Sequence, residues 1–332
     1  LSDIHFIDPA KDIGGGLMGS KNSVNYVLAL FLGLLFPLLM VFAIFFINNS
    51  IQNTEDINRL TKIPLIGVIG LSKDNSNLAV FSKPKSALSE SFRAIRSSLQ
   101  FLYKQQQLEG AKTLMITSSV SGEGKTFCSL NIATVFALSG KKTVIIGLDL
   151  RKPKLFDEFN LTNDVGVVNY LIQQKTIEEI INPTHIPFLD VIVSGPIPPN
   201  PAEMILSDRM KEMIEELKKK YDYIILDTPP VGLVSDALEL AQYCDVTLYI
   251  VRQNFTKKDM ITLLNNRVKR GELHNTSIIL NGFQNKAKYG AGYGYGYGYG
   301  YGSTTYSNGY NDDDGPKNII EKVIRKFPRK RS

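Results

Sequence analysis

Between residues 113 and 280 the chain repeats one pattern: a short apolar run followed by a longer, polar-interrupted stretch. Apolar runs fall at residues 113–117, 143–148, 190–193, 223–226, 246–251 and 277–280, and a run of helical character fills 127–138. Strands without polar alternation suit a sheet covered on both faces, and strands alternating with helices pair in parallel. The pattern predicts an α/β fold with a doubly wound, mostly parallel sheet. Upstream it predicts a short helix over 53–64 with Thr54 as N-cap, a strand at 65–69, and a polar linker at 72–77. In 86–101, Leu88, Phe92, Ile95 and Leu99 recur at helical spacing and mark one apolar stripe. Asn200 reads as the N-cap of a single helix through Met204 to Tyr221, with Pro201 at its first position and Glu203 closing a capping box.

One segment has a different pattern. Residues 26–47 are 22 positions without a charge. At ~1.5 Å per residue they reach about 33 Å, against a bilayer core of roughly 30 Å. A transmembrane helix is predicted, and lipid tolerates its Gly33 and Pro37.

Chemistry enters at Ser119-Val-Ser-Gly-Glu-Gly-Lys-Thr126, between a strand-like and a helix-like run. Such a loop turns backbone N–H groups and a helix N-terminus toward phosphate, with Lys125 for the β and γ phosphates and Thr126 for Mg²⁺. The first glycine of the usual G-x-x-x-x-G-K-[ST] pattern is Ser119, so the match is partial. Nucleotide-binding residues are expected to be Ser121, Gly122, Glu123, Gly124, Lys125, Thr126 and Phe127. A second carboxylate source is Asp227, which ends the apolar run 223–226 before Thr-Pro-Pro and has a Walker B arrangement. A third strand, 143–148, leads into Asp149-Leu-Arg-Lys-Pro153.

These ordered motifs resemble the bacterial tyrosine kinase (BY-kinase) family, across residues 53–281. The family's D-x-D-x-R motif has Gly147 here in place of its first Asp, so the catalytic or metal role of that position passes to Asp149, is supplied by water or is lost, with Asp149 the expected holder. By the resemblance the cofactors are ATP and Mg²⁺, the catalytic residues Lys125, Asp149 and Asp227, and the metal contacts Thr126, Asp149 and Asp227. Asn281 resembles the adenine-contacting Asn of related ATPases; a plain turn residue is the other reading. Glu90, Arg93 and Arg96 match the family's E-x-x-R-x-x-R oligomerisation motif, and their centre lies roughly 130° from the apolar stripe, free to meet another subunit. An ordinary surface i,i+3 pair has the same spacing.

Composition narrows the rest. With 332 residues and 43% hydrophobic content, the chain builds one large or two smaller domains. Its two cysteines, Cys128 and Cys244, suit reduced thiols rather than a disulfide scaffold. His5, His185 and His274 lack ligand-like spacing, which argues against zinc chemistry. From Lys317 onward seven basic residues face one acidic residue, a net +6 that equals the charge of the whole chain. The remainder is neutral, so no nucleic-acid partner is implied.

Tyr289, Tyr293, Tyr295, Tyr297, Tyr299, Tyr301, Tyr306 and Tyr310 lie in a glycine-rich segment that cannot bury a core, so disorder is expected. Such repeats alone suggest a self-associating tail; the resemblance makes them the phosphoacceptors. Beyond them Ile319, Ile320, Val323, Ile324 and Phe327 interleave with basic residues, which fits an anionic membrane surface or a solvated basic end.

The expected organisation is an extracytoplasmic stem at 1–25, the span at 26–47, a juxtamembrane linker at 48–85, a kinase domain at 86–288, the tyrosine cluster at 289–310, and an acidic spacer with a basic amphipathic tail at 311–332. The resemblance implies a fragment of a membrane-anchored polysaccharide co-polymerase type, with the kinase on the cytoplasmic side of the bacterial inner membrane. It implies a homo-oligomeric ring phosphorylating in trans, with a tyrosine phosphatase and polysaccharide polymerisation and export proteins as partners. Two other functions fit the phosphate loop: a ParA/MinD-like ATPase switch sharing this sheet, and a chain-length regulator using its nucleotide only for assembly.

Overall fold

In the computed structural model, residues 22–47, 49–72, 76–232 and 236–284 are described. The tyrosine cluster, the acidic spacer, the basic tail and nearly all of the stem lie outside them. The chain divides into two units, the first ending at Asn49 and the second starting at Ser50.

The first unit contains α1 (Asn22–Ile47), which begins four residues before the predicted span. Its stretch Ser23–Phe42 is long and apolar enough to cross a membrane. Pro37 sits inside the helix.

In the second unit, α2 (Thr54–Leu60), β1 (Leu65–Gly70), α3 (Ala79–Ser82) and α4 (Ala87–Gln105) precede β2 (Lys112–Ser118) and α5 (Lys125–Ala137). Then come β3 (Thr143–Gly147), α6 (Val167–Leu171), α7 (Ile177–Ile180), β4 (Asn182–Pro183) and β5 (Leu189–Ile192). The chain continues through α8 (Pro201–Ile205), α9 (Asp208–Lys218), β6 (Tyr223–Asp227), α10 (Asp236–Ala241), β7 (Val246–Arg252), α11 (Lys258–Lys269) and β8 (Thr276–Phe283). The strands form one eight-stranded sheet in the order β1-β8-β7-β2-β6-β3-β5-β4, parallel except for β4 against β5. This is the predicted doubly wound architecture.

Alternation along the strands explains its two layers. Ile224 and Leu226 of β6 face one buried cluster, shared with Met210, Met213 and Leu217 of α9 and Ile261 and Leu264 of α11. Tyr223 and Ile225 face the other, with Phe92, Ile95 and Leu99 of α4 and Leu130 and Phe136 of α5. Successive strand side chains point to opposite faces, so an all-apolar run fills both layers. From β2 the chain passes by α5 to β3 on one side, whereas from β6 it crosses to β7 on the other. The sheet therefore has a switch point at β2, and ligands of such sheets bind outside the carboxyl ends of the strands there.

Four expectations need correction. The linker drawn over 48–85 belongs to the folded unit from Ser50: Ile51 and Ile57 are fully buried in its core, and β1 is a strand of the sheet. A short apolar strand flanked by polar residues looks like a tether until its partner, β8, is known. The N-cap of α2 is Asn53, whose side chain accepts from Asp56 N, rather than Thr54. The single helix through Tyr221 is two, because at Leu206 and Ser207 the chain turns and Ser207 Oγ bonds Met204 O at 2.7 Å. Asn200 makes no side-chain cap bond, so the capping box with Glu203 does not form. The amphipathic helix at 86–101 is confirmed as α4, capped by Ser86 and extending to Gln105.

Candidate nucleotide site

The carboxyl ends of β2, β3 and β6 frame a cleft of about 230 Å³. Ser121, Gly122, Gly124, Lys125, Thr126 and Phe127 line one side; Gly147, Asp149, Lys152, Lys154, Leu155 and Ser194 line the other, with Asp227 also in the lining. Lys125 and Asp227, the two ends of the expected phosphate chemistry, thus open into one space.

The loop from Ser119 to Gly124 is held from behind. Glu123 is fully buried; its carboxylate accepts from Val120 N at 2.9 Å, from Ser119 Oγ at 3.1 Å and from Thr256 Oγ1. Tyr249 OH donates to Ser119 Oγ at 3.0 Å, and Arg252 Nη1 donates to Gly122 O at 2.7 Å. A buried carboxylate is tolerated only with such a donor set. Gly124 caps α5 in the left-handed region at φ 92°, and a Cβ there would lie 2.2 Å from Asn281 Nδ2, so both conformation and space require glycine.

Two of the residues expected at the nucleotide have side chains engaged with the loop itself. The Glu123 side chain turns inward and braces the loop, and it does not line the cleft. Asn281, buried at the end of β8, donates from Nδ2 to Glu123 O at 2.9 Å and accepts from Gly282 N; it is absent from the lining too. Both act on the loop's shape in this structure.

Asp227 lies beneath the loop. Its Oδ2 accepts from Thr126 Oγ1 at 2.8 Å and its Oδ1 from Ser129 Oγ at 3.0 Å. Ser129 escaped sequence reasoning; its signal was the three-residue spacing from Thr126, which puts both hydroxyls on one helix face. Burial is the main cause that pushes the Asp227 carboxyl up to about 6, opposed by the Thr126 hydrogen bond, the Lys125 charge and the Ser129 hydrogen bond. Burial also pushes the nearby Cys128 thiol up, with the Asp227 charge adding to it, so that thiol is held protonated and unreactive.

In register, Gly147 pairs with Asp227 across β3 and β6. Asp149 follows in the loop, half-buried, with Oδ1 accepting from Lys152 N at 3.0 Å. Arg151 leaves the cleft and makes a two-point ion pair with buried Asp236, Nε to Oδ2 at 2.7 Å and Nη2 to Oδ1 at 3.1 Å. That pair ties the loop after β3 to α10.

Glu90, Arg93 and Arg96 share a face of α4 but are not equally free. Arg93 pairs with Glu90 and donates to Pro84 O at 2.6 Å. Arg96 is half-buried, with Nη1 donating to Val135 O at 3.1 Å and Nε buried without a partner among the described residues. The expectation that all three point freely outward is corrected for Arg96, because it is tied to the end of α5.

This geometry defines a P-loop nucleotide-binding fold, and comparison with known proteins agrees. Residues 111–270 match the family described as AAA domain. The chain is 39% identical over 188 residues to Tyrosine-protein kinase YwqD of Bacillus subtilis, covering 57% of this chain and 78% of that protein. It is 43% identical over 162 residues to Putative tyrosine-protein kinase CapB of Staphylococcus aureus, covering 49% and 70% respectively. Among solved structures, the kinase domain of Escherichia coli tyrosine kinase ETK superposes with a TM-score of 0.67 at 29% identity, covering 75% of this chain and 100% of that one. The chimerical protein CapA2B2 gives 0.64 at 32% identity, covering 70% and 100%. The chain belongs to the bacterial tyrosine-protein kinases, and it is a protein-tyrosine kinase by class.

Proposed function

We propose that this chain transfers the γ-phosphoryl group of Mg-ATP to tyrosines of its own C-terminal segment, presented by a neighbouring copy. The carrying observation is the shared cleft, in which Lys125 and Thr126 on one wall and Asp149 on the other surround Asp227. Within it Lys125 supplies charge at the β and γ phosphates. Thr126 and Asp227 would hold Mg²⁺, whose chemistry is to neutralise charge on the phosphate oxygens. Two protein oxygens suffice for an ion that keeps waters and phosphates as its other ligands. The fit is favourable: both Asp227 oxygens already accept hydroxyl hydrogen bonds, so an oxygen-seeking cation finds oriented ligands. The balance of the reaction is tyrosine O–H plus ATP giving phosphotyrosine, ADP and a proton. Asp149 takes that proton or contacts the metal; its Oδ2 has no hydrogen-bond donor among the described residues. A phenol of pKa near 10 needs such a base.

Around this centre the reading assigns Glu90, Arg93 and Arg96 to contact between copies, and Tyr289 to Tyr310 to the acceptor segment. It assigns α1 to the bacterial inner membrane, with the kinase on the cytoplasmic side, where ATP is. Names of relatives such as a putative tyrosine-protein kinase in cps region of Klebsiella pneumoniae support a role in capsule or exopolysaccharide assembly. This chain covers 40% of that relative's length, so the transport activity itself is inferred. A phosphatase would reset the tail.

Gly147 favours a second reading, since one carboxylate of the family pattern is missing: nucleotide-regulated assembly without phosphoryl transfer. Phosphotyrosine detection on the purified chain with Mg-ATP separates the two. Phosphotyrosine on tail peptides supports the kinase reading; nucleotide binding without it supports the other.

A further inference from the structure

The cleft wall opposite the phosphate loop has two lysines that the proposed chemistry does not use. Lys152 and Lys154 both line the cleft and both are exposed, unlike buried Lys125. Neither ammonium has an ion-pair or hydrogen-bond partner among the described residues. The nearby carboxylates are engaged elsewhere: Asp149 with Lys152 N, and Glu158 with Asn77 Nδ2. Two unpaired cations therefore flank the space where an acceptor tyrosine would enter.

The acceptor segment has one matching feature. Between Tyr289 and Asn311 there is no charged residue, and then Asp312, Asp313 and Asp314 follow, two positions after Tyr310. We propose that Lys152 and Lys154 form a receiving site for the acidic segment Asp312 to Asp314 of a second copy, and so choose Tyr310 as the first acceptor. The proposal rests on the tail-kinase reading above. Two residues span about 7 Å in extended chain, so an anchored Asp312 keeps Tyr310 within reach of the same cleft.

The same site then accepts its own product. A phosphate on Tyr310 brings about −1.5 to −2 charge and three acceptor oxygens, which replaces the aspartates as anchor for Tyr306. Tyr306 lies four residues before Tyr310 and Tyr301 five residues before Tyr306, after which Tyr299, Tyr297, Tyr295 and Tyr293 follow at two-residue spacing. Phosphorylation proceeds from Tyr310 toward Tyr289.

The test uses the full chain in detergent, Mg-ATP, and two acceptor peptides: residues 307–315 as they stand, and the same peptide with Asp312→Asn, Asp313→Asn and Asp314→Asn. The natural peptide should show a KM lower by roughly tenfold, with the difference shrinking at high salt. In Lys152→Ala/Lys154→Ala the two KM values should converge. Lys152→Glu/Lys154→Glu should instead prefer a peptide with lysines at 312–314, a reversal that a merely structural role would not give. Binding of a fluorescent ATP analogue to each variant is measured alongside. Equal KM values for the two peptides with the natural enzyme overturn the proposal, as does a preference that persists in the alanine variant. A parallel loss of nucleotide affinity in that variant overturns it too, by assigning the lysines to ATP. If neither peptide nor the chain's own tail gains phosphotyrosine, the tail-kinase reading fails, and this one with it.

Discussion

Thr126 Oγ1 donates to Asp227 Oδ2 across 2.8 Å, although the two residues are 101 positions apart in the chain. The bond joins the first turn of α5 to the end of β6 and closes the cleft's floor. It also holds a charge that burial opposes, since Asp227 is 4% exposed and its carboxyl is pushed up to about 6.

Stability should therefore improve when that charge is removed. Between the unfolded value of 3.8 and the folded value of about 6 the native state holds more protons than the unfolded state, so stability falls as pH rises through this window. Asp227→Asn keeps an acceptor oxygen for one hydroxyl and turns an amide N–H toward the other, which can rotate to accept it; the variant should raise stability at pH 8 by about 1–3 kcal/mol, with the gain fading toward pH 4. Phosphorylation should be lost in the same variant. Urea melts at pH 8 and pH 4 check the first half; a variant less stable at both pH values would contradict it.

The rate of phosphorylation should follow the same group with the opposite sense. At limiting Mg²⁺ it should drop as pH falls through about 6, because protonated Asp227 no longer offers a metal-binding charge. Saturating Mg²⁺ should move the midpoint lower. A pH–rate profile flat from 5 to 8 at limiting Mg²⁺ would contradict this dependence.

Gly124 and Asn281 should be coupled. Gly124→Ala places Cβ 2.2 Å from Asn281 Nδ2 at φ 92°, so it should weaken nucleotide affinity by roughly tenfold or more. Asn281→Ala removes the clash but not the backbone strain, so the double variant should recover part of the loss. Strict additivity in a double-mutant cycle would show that the two positions act independently.

Gly147→Asp restores the carboxylate that the family pattern has. A Cβ at 147 meets Leu155 and the Ser194 backbone no closer than 3.4 Å, which is ordinary van der Waals contact, and Gly147 lines the cleft into which a carboxylate would extend. Its register partner is Asp227, so the new charge lies beside the metal-holding group. Phosphorylation should rise at saturating Mg²⁺ and its Mg²⁺ dependence should steepen. A folded variant with unchanged rate and Mg²⁺ dependence would remove Gly147 from the account.

What was legible in the sequence follows from how local each feature is. The runs at 143–148 and 223–226 announced buried strands because both faces of a central strand need apolar residues, and the phosphate loop announced itself because lysine and glycine act at fixed spacing. The inward turn of the Glu123 side chain is not legible locally, since nothing nearby reveals its bond with Thr256, 133 residues away. The bond from Asn281 to the loop was hidden for a similar reason: its partner is a carbonyl 158 positions back. The break at Ser207 was hidden because residues 201–218 stay helical in composition on both sides of the turn.

The central claim is that phosphoryl transfer to tyrosine occurs in this cleft, and Lys125 is its most direct probe. Lys125→Met removes the ammonium at the β and γ phosphates, and the folded unit keeps its core. The measurement is phosphotyrosine on the purified chain over time with Mg-ATP, natural against Lys125→Met, with circular dichroism confirming that both are folded. The account predicts phosphotyrosine on the natural chain and a fall of roughly 10²-fold or more in the variant. Equal phosphotyrosine in the two would contradict it.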